Sequence, residues 1–354
     1  MDPFAYTSLP GRIVFGFGTL AQVPAEVEAL GGKRALVLHD RYHEDRAGAR
    51  LRDHLGGLVA GFSSEAAMHT PVAVTERVMR QLSAVDADCL VALGGGSTIG
   101  LSKALALRTD LPQIVIPTTY AGSEATPILG ETTGDRKTTQ RSPKVLPEVV
   151  VYDVELTLAL PPLLSTVSGM NAIAHAVEAL YAKDANPITS LLAERGIAAL
   201  GGALPLIVKN PHDCAARADA LFGAWACGNC LGTVGMALHH KLCHVLGGSF
   251  DLPHAETHAV VLPHAAAFNT AGAPEALARA ARALRVEQAA HGLFDLAAAL
   301  GAPTSLKALG MRETDLDRAA ETAVSAPYWN PRPVDRGAIR ALLDDAYHGR
   351  RPQA

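Results

Sequence analysis

The chain has 354 residues, of which 49% are apolar and 19% are charged, and its net charge at pH 7 is −4. This composition is typical of a globular protein with a large core, and the charge gives no electrostatic reason to expect nucleic acid or an anionic membrane as a partner. The opening residues lack the basic flank and long apolar run of a signal peptide, and we expect no apolar stretch as long as a membrane span.

The five cysteines are an odd number in a large chain, which favours reduced thiols and a cytoplasmic protein. Cys227 and Cys230 form a C-x-x-C pair, but the sequence offers no second pair. We therefore interpret them as buried helical residues rather than as a zinc or redox motif. Because the chain exceeds the size at which one core stops growing, we expect two domains.

The first 160 residues alternate short apolar strands with helical patterns. This alternation predicts a Rossmann-like α/β domain with a parallel, doubly wound sheet over residues 1–160. The predicted elements are a strand at 12–18, a helix closed by Gly31 and Gly32, a strand at 34–40, helices at 46–55 and 71–85 with Thr70 as a cap candidate, a strand and helix within 88–107, and a strand at 111–119. Ligands of such sheets lie beyond the carboxyl ends of the strands.

The clearest ligand signal in this half is a glycine-rich turn, Gly94, Gly95, Gly96 and Ser97, between a buried strand and a helix. Glycines let a backbone approach a ligand closely, and the N–H groups that begin a helix attract a phosphate. The turn is not a G-x-G-x-x-G fingerprint, so a tight turn without a ligand stays open as an alternative. We predict a phosphate site here.

Two further segments fall at the same predicted edge of the sheet. Asp40 ends a strand and is placed to accept hydrogen bonds from ribose hydroxyls, although a role as a helix cap is an open alternative. The hydroxyl-rich loop TTYAGSEAT, with Thr118, Thr119 and Ser123, suits phosphate and nicotinamide contacts, or is an ordinary capped loop. Lys137 completes the predicted cofactor set.

Beyond Pro161 and Pro162 the sequence becomes rich in Ala and Leu with helical periodicity. We predict an all-helical second domain over residues 161–354. Its first site element is the segment Ser168–Leu180, where Asn171, His175 and Glu178 are spaced to lie on one helix face.

The second site element holds a dense group of histidines. Six of the fourteen histidines lie between Gly235 and His264, namely His239, His240, His244, His254, His258 and His264. His240 and His244 share a helix face, Gly247 and Gly248 suit the end of that helix, and Pro253 sets His254 on an irregular turn. Imidazoles bind metals, move protons or carry positive charge near neutral pH, so we predict a site. Asn171 and His175 together with His240 and His254 suggest four donors that converge from two helices and a loop.

Four segments together resemble the iron-containing alcohol dehydrogenase superfamily: GGGS before a helix, TTYAGSE, SGMNAIAHAVEA and HHKLCHVLGGSFDLPHAETHAVVLPH. Within it the chain is most similar to the maleylacetate reductases. The resemblance implies the fold that this superfamily shares with dehydroquinate synthase, with a dinucleotide-binding domain and a helical domain. It also implies NADH or NADPH as the cofactor and a homodimer.

The resemblance assigns the metal ligands of the metal-dependent members to four positions, Asn171, His175, His240 and His254. Asn171 departs from the pattern because an Asp stands there in those members, and Gly100 departs because most members have an Asp after GGGS. Three imidazoles and an amide give a divalent ion no charged ligand. Without a metal, the same histidines can take protons and form a cationic pocket. The resemblance to the maleylacetate reductases likewise implies that no metal is needed.

The implied activity is NAD(P)H-dependent reduction of the carbon–carbon double bond of maleylacetate, with chloromaleylacetate as a further substrate, to 3-oxoadipate in aromatic catabolism. We predict His244 as the proton donor or enolate partner. His175, His240 and His254 would orient the dicarboxylate substrate and pair with its charges. Asn171, Lys241 and His258 complete the predicted substrate-binding set.

Three alternatives stay open from the sequence. One is a metal-dependent alcohol dehydrogenase or carbonyl reductase of the same superfamily that tolerates Asn171 as a ligand. Another is a cyclase similar to dehydroquinate synthase, which would need an acidic metal ligand and several cations for a substrate phosphate. The last is a non-catalytic metal-binding module, which the dinucleotide signals disfavour.

Overall fold

The computed structural model describes residues 4–9, 11–40, 47–134 and 136–353, except for the side chain of Lys137. The described chain divides into two compact units. One unit extends from Leu9 to Leu160, and the other contains residues 4–8 together with the chain from Pro161 onward. The sequence placed the border between residues 160 and 161 but assigned residues 4–8 to the first domain. Their contacts group them with the helical unit instead.

The N-terminal unit is a parallel sheet covered by helices on both faces. Its strands are β1 (Arg12–Gly16), β2 (Ala35–His39), β3 (Val59–Ser63), β4 (Cys89–Gly94), β5 (Gln113–Pro117), β6 (Ile128–Thr133), β7 (Arg136–Arg141) and β8 (Val149–Asp153), and its helices are α1 (Val23–Ala29), α2 (Ala47–Leu55), α3 (Val72–Ala84) and α4 (Gly96–Thr109). Six strands form one sheet in the order β1-β8-β5-β4-β2-β3, and each pair of neighbouring strands in it is parallel. Two apolar clusters bury its faces, which is why its strands read as continuous apolar runs. The predicted parallel α/β domain is confirmed.

Two local features of this unit differ from the prediction. β6 and β7 form an antiparallel hairpin that the sequence analysis did not predict, because β7 is polar throughout and β6 has neither a long apolar run nor an alternating pattern. Thr70 was expected to cap α3, but the residue before the helix is Pro71, and it makes no side-chain cap. Thr70 itself is buried with a φ of 46°, so its backbone turns left-handed before the helix begins.

The C-terminal unit is helical among its described residues, as predicted. Its helices are α5 (Pro162–Leu180), α6 (Pro187–Lys209), α7 (Cys214–Thr233), α8 (Leu238–Phe250), α9 (His254–Thr270), α10 (Pro274–Leu284), α11 (Ala289–Ala299), α12 (Leu316–Val324) and α13 (Arg336–His348). Small residues let α6 and α7 pack closely, since a Cβ on Gly196 would lie 2.6 Å from the Cys227 sulfur. Cys227 and Cys230 are buried thiols within α7, which confirms their structural interpretation.

The histidine segment is more helical than predicted. Gly247 and Gly248 were expected to end the helix, but α8 continues through both to Phe250. The helix ends because Asp251 adopts a left-handed conformation with a φ of 54°. His254 was expected on an irregular turn, and it is instead the first residue of α9, directly after Pro253. The donors therefore come from three helices.

One helix corrects the expectation about apolar length. α6 has 23 residues, and its most apolar 18-residue window has a mean hydropathy of 1.6, long and apolar enough to cross a membrane by composition. A bent pair, α7 with α8, passes the same test jointly. Within the helical unit, α6 packs against α5 and α7, and 44% of that window is buried. The Ala, Gly and Leu residues of α6 pack against the neighbouring helices, and the same residues account for its high hydropathy.

Candidate active site

The turn between β4 and α4 has the geometry of a phosphate site. β4 ends at Gly94 and α4 begins at Gly96, with Ser97 in the first helical turn. The first N–H groups of a helix have no acceptor within that helix, so they are suited to an anion. A Cβ on Gly96 would meet no atom within 4 Å, so open space lies at this helix start. These residues fit the pyrophosphate of a dinucleotide.

The predicted ribose acceptor lies beside this turn. A Cβ on Gly94 would be 2.4 Å from the Thr98 hydroxyl and 3.2 Å from Oδ2 of Asp40, so only glycine fits at this position. Asp40 follows β2, which pairs directly with β4, and this pairing places its carboxylate at the same edge of the sheet. Contact of Asp40 with a ribose stays a prediction.

The hydroxyl-rich loop is fixed to the same turn. The backbone N–H of Thr118 donates to the Gly94 carbonyl at 3.1 Å. A Cβ on Gly95 would lie 3.0 Å from the Thr119 methyl group, so the loop packs directly against the glycines. Ser123 begins a short 3-10 turn further along the loop. Lys137 lies in β7, and its side chain lies outside the described structure.

The absence of a carboxylate at position 100 has a steric explanation. Gly100 is buried in α4, and a Cβ there would lie 2.3 Å from the Thr70 hydroxyl. Thr70 therefore occupies the space that a larger side chain at position 100 would need.

In the helical unit, a buried carboxylate organises the histidine segment. Glu178, in α5, accepts hydrogen bonds from the backbone N–H groups of Ala237 at 2.9 Å and His239 at 2.7 Å, at the start of α8. Its Oε2 also lies 2.7 Å from Nδ1 of His240. A carboxylate at a helix start satisfies N–H groups that have no acceptor within the helix and interacts well with the dipole. Glu178 was placed on the site face by the sequence but was given no role.

Two of the predicted histidines form a hydrogen-bonded pair. Nε2 of His240 lies 2.8 Å from Nδ1 of His175, and both side chains are buried. The Glu178 carboxylate accepts a hydrogen bond from Nδ1–H of His240, which fixes the tautomer of a neutral imidazole there. His240 Nε2 is then the acceptor and His175 Nδ1 the donor. Glu178, His240 and His175 thus form one chain of hydrogen bonds.

A second histidine pair lies next to the first. Nε2 of His239 lies 2.9 Å from Nδ1 of His258, and the Cys243 sulfur lies 3.7 Å from the same His239 nitrogen. Ligand atoms of these three residues lie within 4.8 Å of one another. Burial, and then nearby imidazoles, hold the pKa of both His239 and His258 well below the ordinary value. These two histidines stay neutral, so His258 offers no positive charge to a substrate.

The two exposed histidines of the cluster are His244 and His254. The ring of His244 lies one helical turn after His240, with 6.4 Å between ring centroids, and the ring of His254 lies 4.4 Å from that of His258 with the two planes inclined at 58°. Asn171 is buried in α5, and its Oδ1 has no hydrogen-bond partner among the described residues. The structure therefore brings together six histidines of α5, α8 and α9, namely His175, His239, His240, His244, His254 and His258, with Asn171 one helical turn before His175. His264 instead contacts Phe294.

A cavity of about 250 Å³ in the helical unit adds residues that the sequence analysis missed. Tyr328 and Asn330 line it, and Asn330 accepts a hydrogen bond from the backbone of Leu238, at the start of α8. Lys241 lies with its Nζ 5.7 Å from the centroid of the Tyr328 ring. Burial, and then the charge of Glu178, raise the pKa of Tyr328 to about 12, so it is a hydroxyl donor at neutral pH. The aromatic, Pro-rich segment YWNPRP was the available signal in the sequence.

Comparison with protein families divides the chain at the same place as the structure does. The model described as "Iron-containing alcohol dehydrogenase" matches residues 10–154, and the model described as "Fe-containing alcohol dehydrogenase family, C-terminal" matches residues 165–347. Together these matches cover most of the chain and both of its units.

Individual relatives resemble the whole chain. A maleylacetate reductase of Rhizobium sp. strain MTP-10005 is 58% identical, with all of both chains covered, and one of Burkholderia cepacia is 52% identical over 99% of this chain and 100% of its own. The crystal structure of a maleylacetate reductase from Agrobacterium tumefaciens superposes with a TM-score of 0.96, at 58% identity, over 99% of this chain and 100% of that one.

Proposed function

The chain belongs to the iron-containing alcohol dehydrogenase family, and on that premise we propose that it reduces the carbon–carbon double bond of maleylacetate to 3-oxoadipate with NADH or NADPH. The observation that carries this proposal is the histidine site with Asn171, in a chain that is 48–58% identical to several maleylacetate reductases. Chloromaleylacetate is proposed as a further substrate, because the reacting alkene and ketone are the same.

The residues of the N-terminal unit would hold the cofactor. Gly94–Gly96 and Ser97 would receive the pyrophosphate, Asp40 the ribose, and Thr118, Thr119 and Ser123 the nicotinamide end, with Lys137 nearby. When bound, a reduced nicotinamide supplies the hydride that adds to the alkene carbon β to the ketone. Asp40 would repel a 2′-phosphate, which favours NADH.

The residues of the helical unit would handle charge and the proton. As the alkene is reduced, negative charge develops on the ketone oxygen, and N–H or O–H donors aimed at that oxygen stabilise the transition state. A proton must then reach the carbon α to the ketone. We assign His244 as the donor of this proton, because it is exposed and can be reprotonated from solvent. His175, His240 and His254, with Asn171 and Lys241, would bind the two carboxylates and the ketone, with His258 packed behind them.

We infer that the reaction proceeds without a metal. The four positions that hold the ion in metal-dependent relatives offer an amide and three imidazoles, none of which is anionic. In addition, both ring nitrogens of His240 have partners within the protein, Nδ1 in Glu178 and Nε2 in His175. Imidazole N–H groups then replace a Lewis acid.

A second candidate is a metal-dependent alcohol dehydrogenase or carbonyl reductase. One observation favours it: Oδ1 of Asn171 is buried without a hydrogen-bond partner among the described residues, as a ligand atom would be before it meets an ion. A buried acceptor of this kind is expected to have a partner.

One experiment separates the two candidates. The purified protein should carry well under one metal per chain and oxidise NADH with maleylacetate at the same rate with and without EDTA. Stoichiometric iron or zinc, with loss of activity on its removal, would contradict the proposal. The variant Asn171→Asp should bind zinc more tightly than the parent, because it restores an anionic ligand.

We further propose a cytoplasmic homodimer that acts on a small dicarboxylate. The five cysteines are free thiols, in keeping with a reducing compartment. The edge strand β1 presents Ile13 and Phe15, followed by Phe17, as exposed apolar side chains at alternating positions. A second copy that pairs with this edge would cover them and close the sheet edge.

A further inference from the structure

Lys103 is a buried lysine to which the proposed mechanism gives no part. It lies in α4, and its side chain is fully buried. Its Nζ donates to the carbonyl oxygens of Ser123 at 2.5 Å, Thr126 at 2.7 Å and Ile128 at 3.0 Å, and it lies 3.0 Å from the Thr126 hydroxyl. All of these oxygens belong to the end of the hydroxyl-rich loop or to the start of β6. One ammonium thus holds four points of one short segment.

Burying a lysine ammonium costs free energy, so we expect this lysine to have a role that an apolar residue could not have. Removing an ammonium from water is strongly unfavourable unless other groups solvate it, and here carbonyl oxygens replace the water. Burial lowers the pKa of Lys103 to about 7, and the buried carboxylate of Glu124 opposes this shift only in part. Glu124 directs its Oε1 to the Tyr152 hydroxyl at 3.0 Å. An apolar residue would avoid the burial penalty, as Ala104 and Leu105 beside it do.

An apolar residue at position 103 could not donate hydrogen bonds to the hydroxyl-rich loop and so could not hold it in place. The loop begins at Thr118, whose N–H donates to the carbonyl oxygen of Gly94. The methyl group of the next residue, Thr119, packs beside Gly95. Its far end is bonded to Lys103, about two helical turns beyond the start of α4. The strand–helix unit that offers the phosphate site therefore also holds both ends of the loop that flanks it.

We propose that Lys103 is a positioning residue for NAD(P)H: by donating to the oxygens of Ser123–Ile128, it holds loop 118–126 in the conformation that receives the cofactor. This rests on the proposed function, because it takes the loop to be part of the dinucleotide site. Lys103 touches neither cofactor nor substrate and acts through the loop.

The test is the dissociation constant of NADH, measured by fluorescence titration for the parent and for Lys103→Met. Methionine keeps the length of the side chain but cannot donate. We expect the constant to rise about tenfold or more, the loss associated with charged hydrogen bonds. Lys144→Met is the matched control, since that Nζ contacts Asp110 at 3.1 Å and the side chain is 49% exposed. The control should stay within about twofold of the parent.

Turnover provides a readout that general destabilisation would not give. For Lys103→Met the KM for NADH should rise, while the KM for maleylacetate and the kcat at saturating NADH stay close to the parental values. The proposal is overturned if the variant binds NADH as tightly as the parent does. It is also overturned if kcat falls and the KM values for NADH and for maleylacetate rise together.

A second variant covers the case in which Lys103→Met does not fold. Thr126→Val keeps the shape of the side chain and retains the lysine, but it removes the hydroxyl that accepts from Lys103 and that also bonds Ser123 and Ile128. The NADH dissociation constant should therefore rise by about two- to fivefold. An unchanged constant in this folded variant overturns the proposal. Failure of the proposed function looks different, because a parent protein that binds NADH but does not reduce maleylacetate leaves the cofactor-binding test intact.

Discussion

Glu178 determines much of the local geometry of the histidine site, because its two oxygens accept hydrogen bonds from the start of α8 and from the ring of His240. Through His240 the same carboxylate also sets which nitrogen of His175 is the donor. His244 and His254 are the exposed histidines of the cluster, and the proposed function assigns them to the substrate. At this scale, a buried carboxylate orients the site, and the proposed proton donor His244 is exposed.

The variant Glu178→Gln tests this division. The amide would present an N–H₂ group to backbone and ring donors that now face an oxygen, so the free energy of unfolding should fall by about 1–3 kcal/mol. Turnover should fall by about 10–100-fold, as for other partners that orient a site histidine. Urea unfolding and steady-state kinetics give both values, with the exposed Glu275→Gln as the control. A parental kcat would show that His240 needs no carboxylate.

The variant His244→Ala tests the proton donor. Turnover should fall by about 10²–10⁴-fold, the usual range for a general acid, with NADH affinity unchanged. By contrast, His254→Ala should raise the KM for maleylacetate more than it lowers kcat, because it removes binding to the substrate carboxylates. The exposed His212→Ala serves as the control. Parental turnover in His244→Ala would remove that residue from the mechanism.

At the scale of elements, α4 does most to define the cofactor site. Its first residue faces open space, its neighbour Gly95 packs on Thr119, and its buried lysine holds the next loop. These glycines are therefore not equivalent. A side chain at Gly95 would collide with the loop, whereas one at Gly96 would enter the space predicted for the pyrophosphate.

The variant Gly96→Val separates binding from folding at this turn. Because no atom lies within 4 Å of a Cβ at this position, the midpoint of thermal unfolding should change little. NADH binding should weaken by about tenfold or more, since the side chain would displace the phosphate from the helix start. Gly95→Val should impair both properties. If Gly96→Val binds NADH normally, the phosphate lies elsewhere.

At the scale of the whole molecule, the chain separates two tasks between two units. In the proposed function, the parallel sheet and its helices would offer backbone N–H groups and hydroxyls to a nucleotide, and the helical unit would offer imidazoles to a dicarboxylate. β1 lies at one edge of the sheet, where Ile13, Phe15 and Phe17 are 38%, 41% and 51% exposed. An exposed apolar edge strand invites pairing with another strand.

The expected assembly is a homodimer through this edge. Light scattering of the parent should give twice the mass of the chain, and Phe15→Glu should shift it to the monomer, because the charge would be buried between copies. Leu191→Glu is the control, since that leucine lies on α6 and is 69% exposed. Dissociation by Leu191→Glu but not by Phe15→Glu would place the interface on α6.

The sequence by itself determined the fold class, the family and the residue types of the site. Apolar runs that alternate with helical patterns specify a parallel sheet, and histidines at helical spacing specify a shared face, because these signals are local and periodic. The GGGS turn, the TTYAGSE loop and the two histidine segments indicated the family, which the family models confirm. Glu178 was visible on the same face as Asn171 and His175.

Only the tertiary structure decided which of these residues orient and which are exposed. Lys103 and Glu178 gain their partners from segments distant in the chain, so no local pattern assigns them a role. The same holds for His258, which looked like its neighbours in the sequence but is buried against His239 and His254. Burial changes the pKa and the available hydrogen-bond partners of a side chain, and burial is a property of the packed molecule rather than of the local sequence.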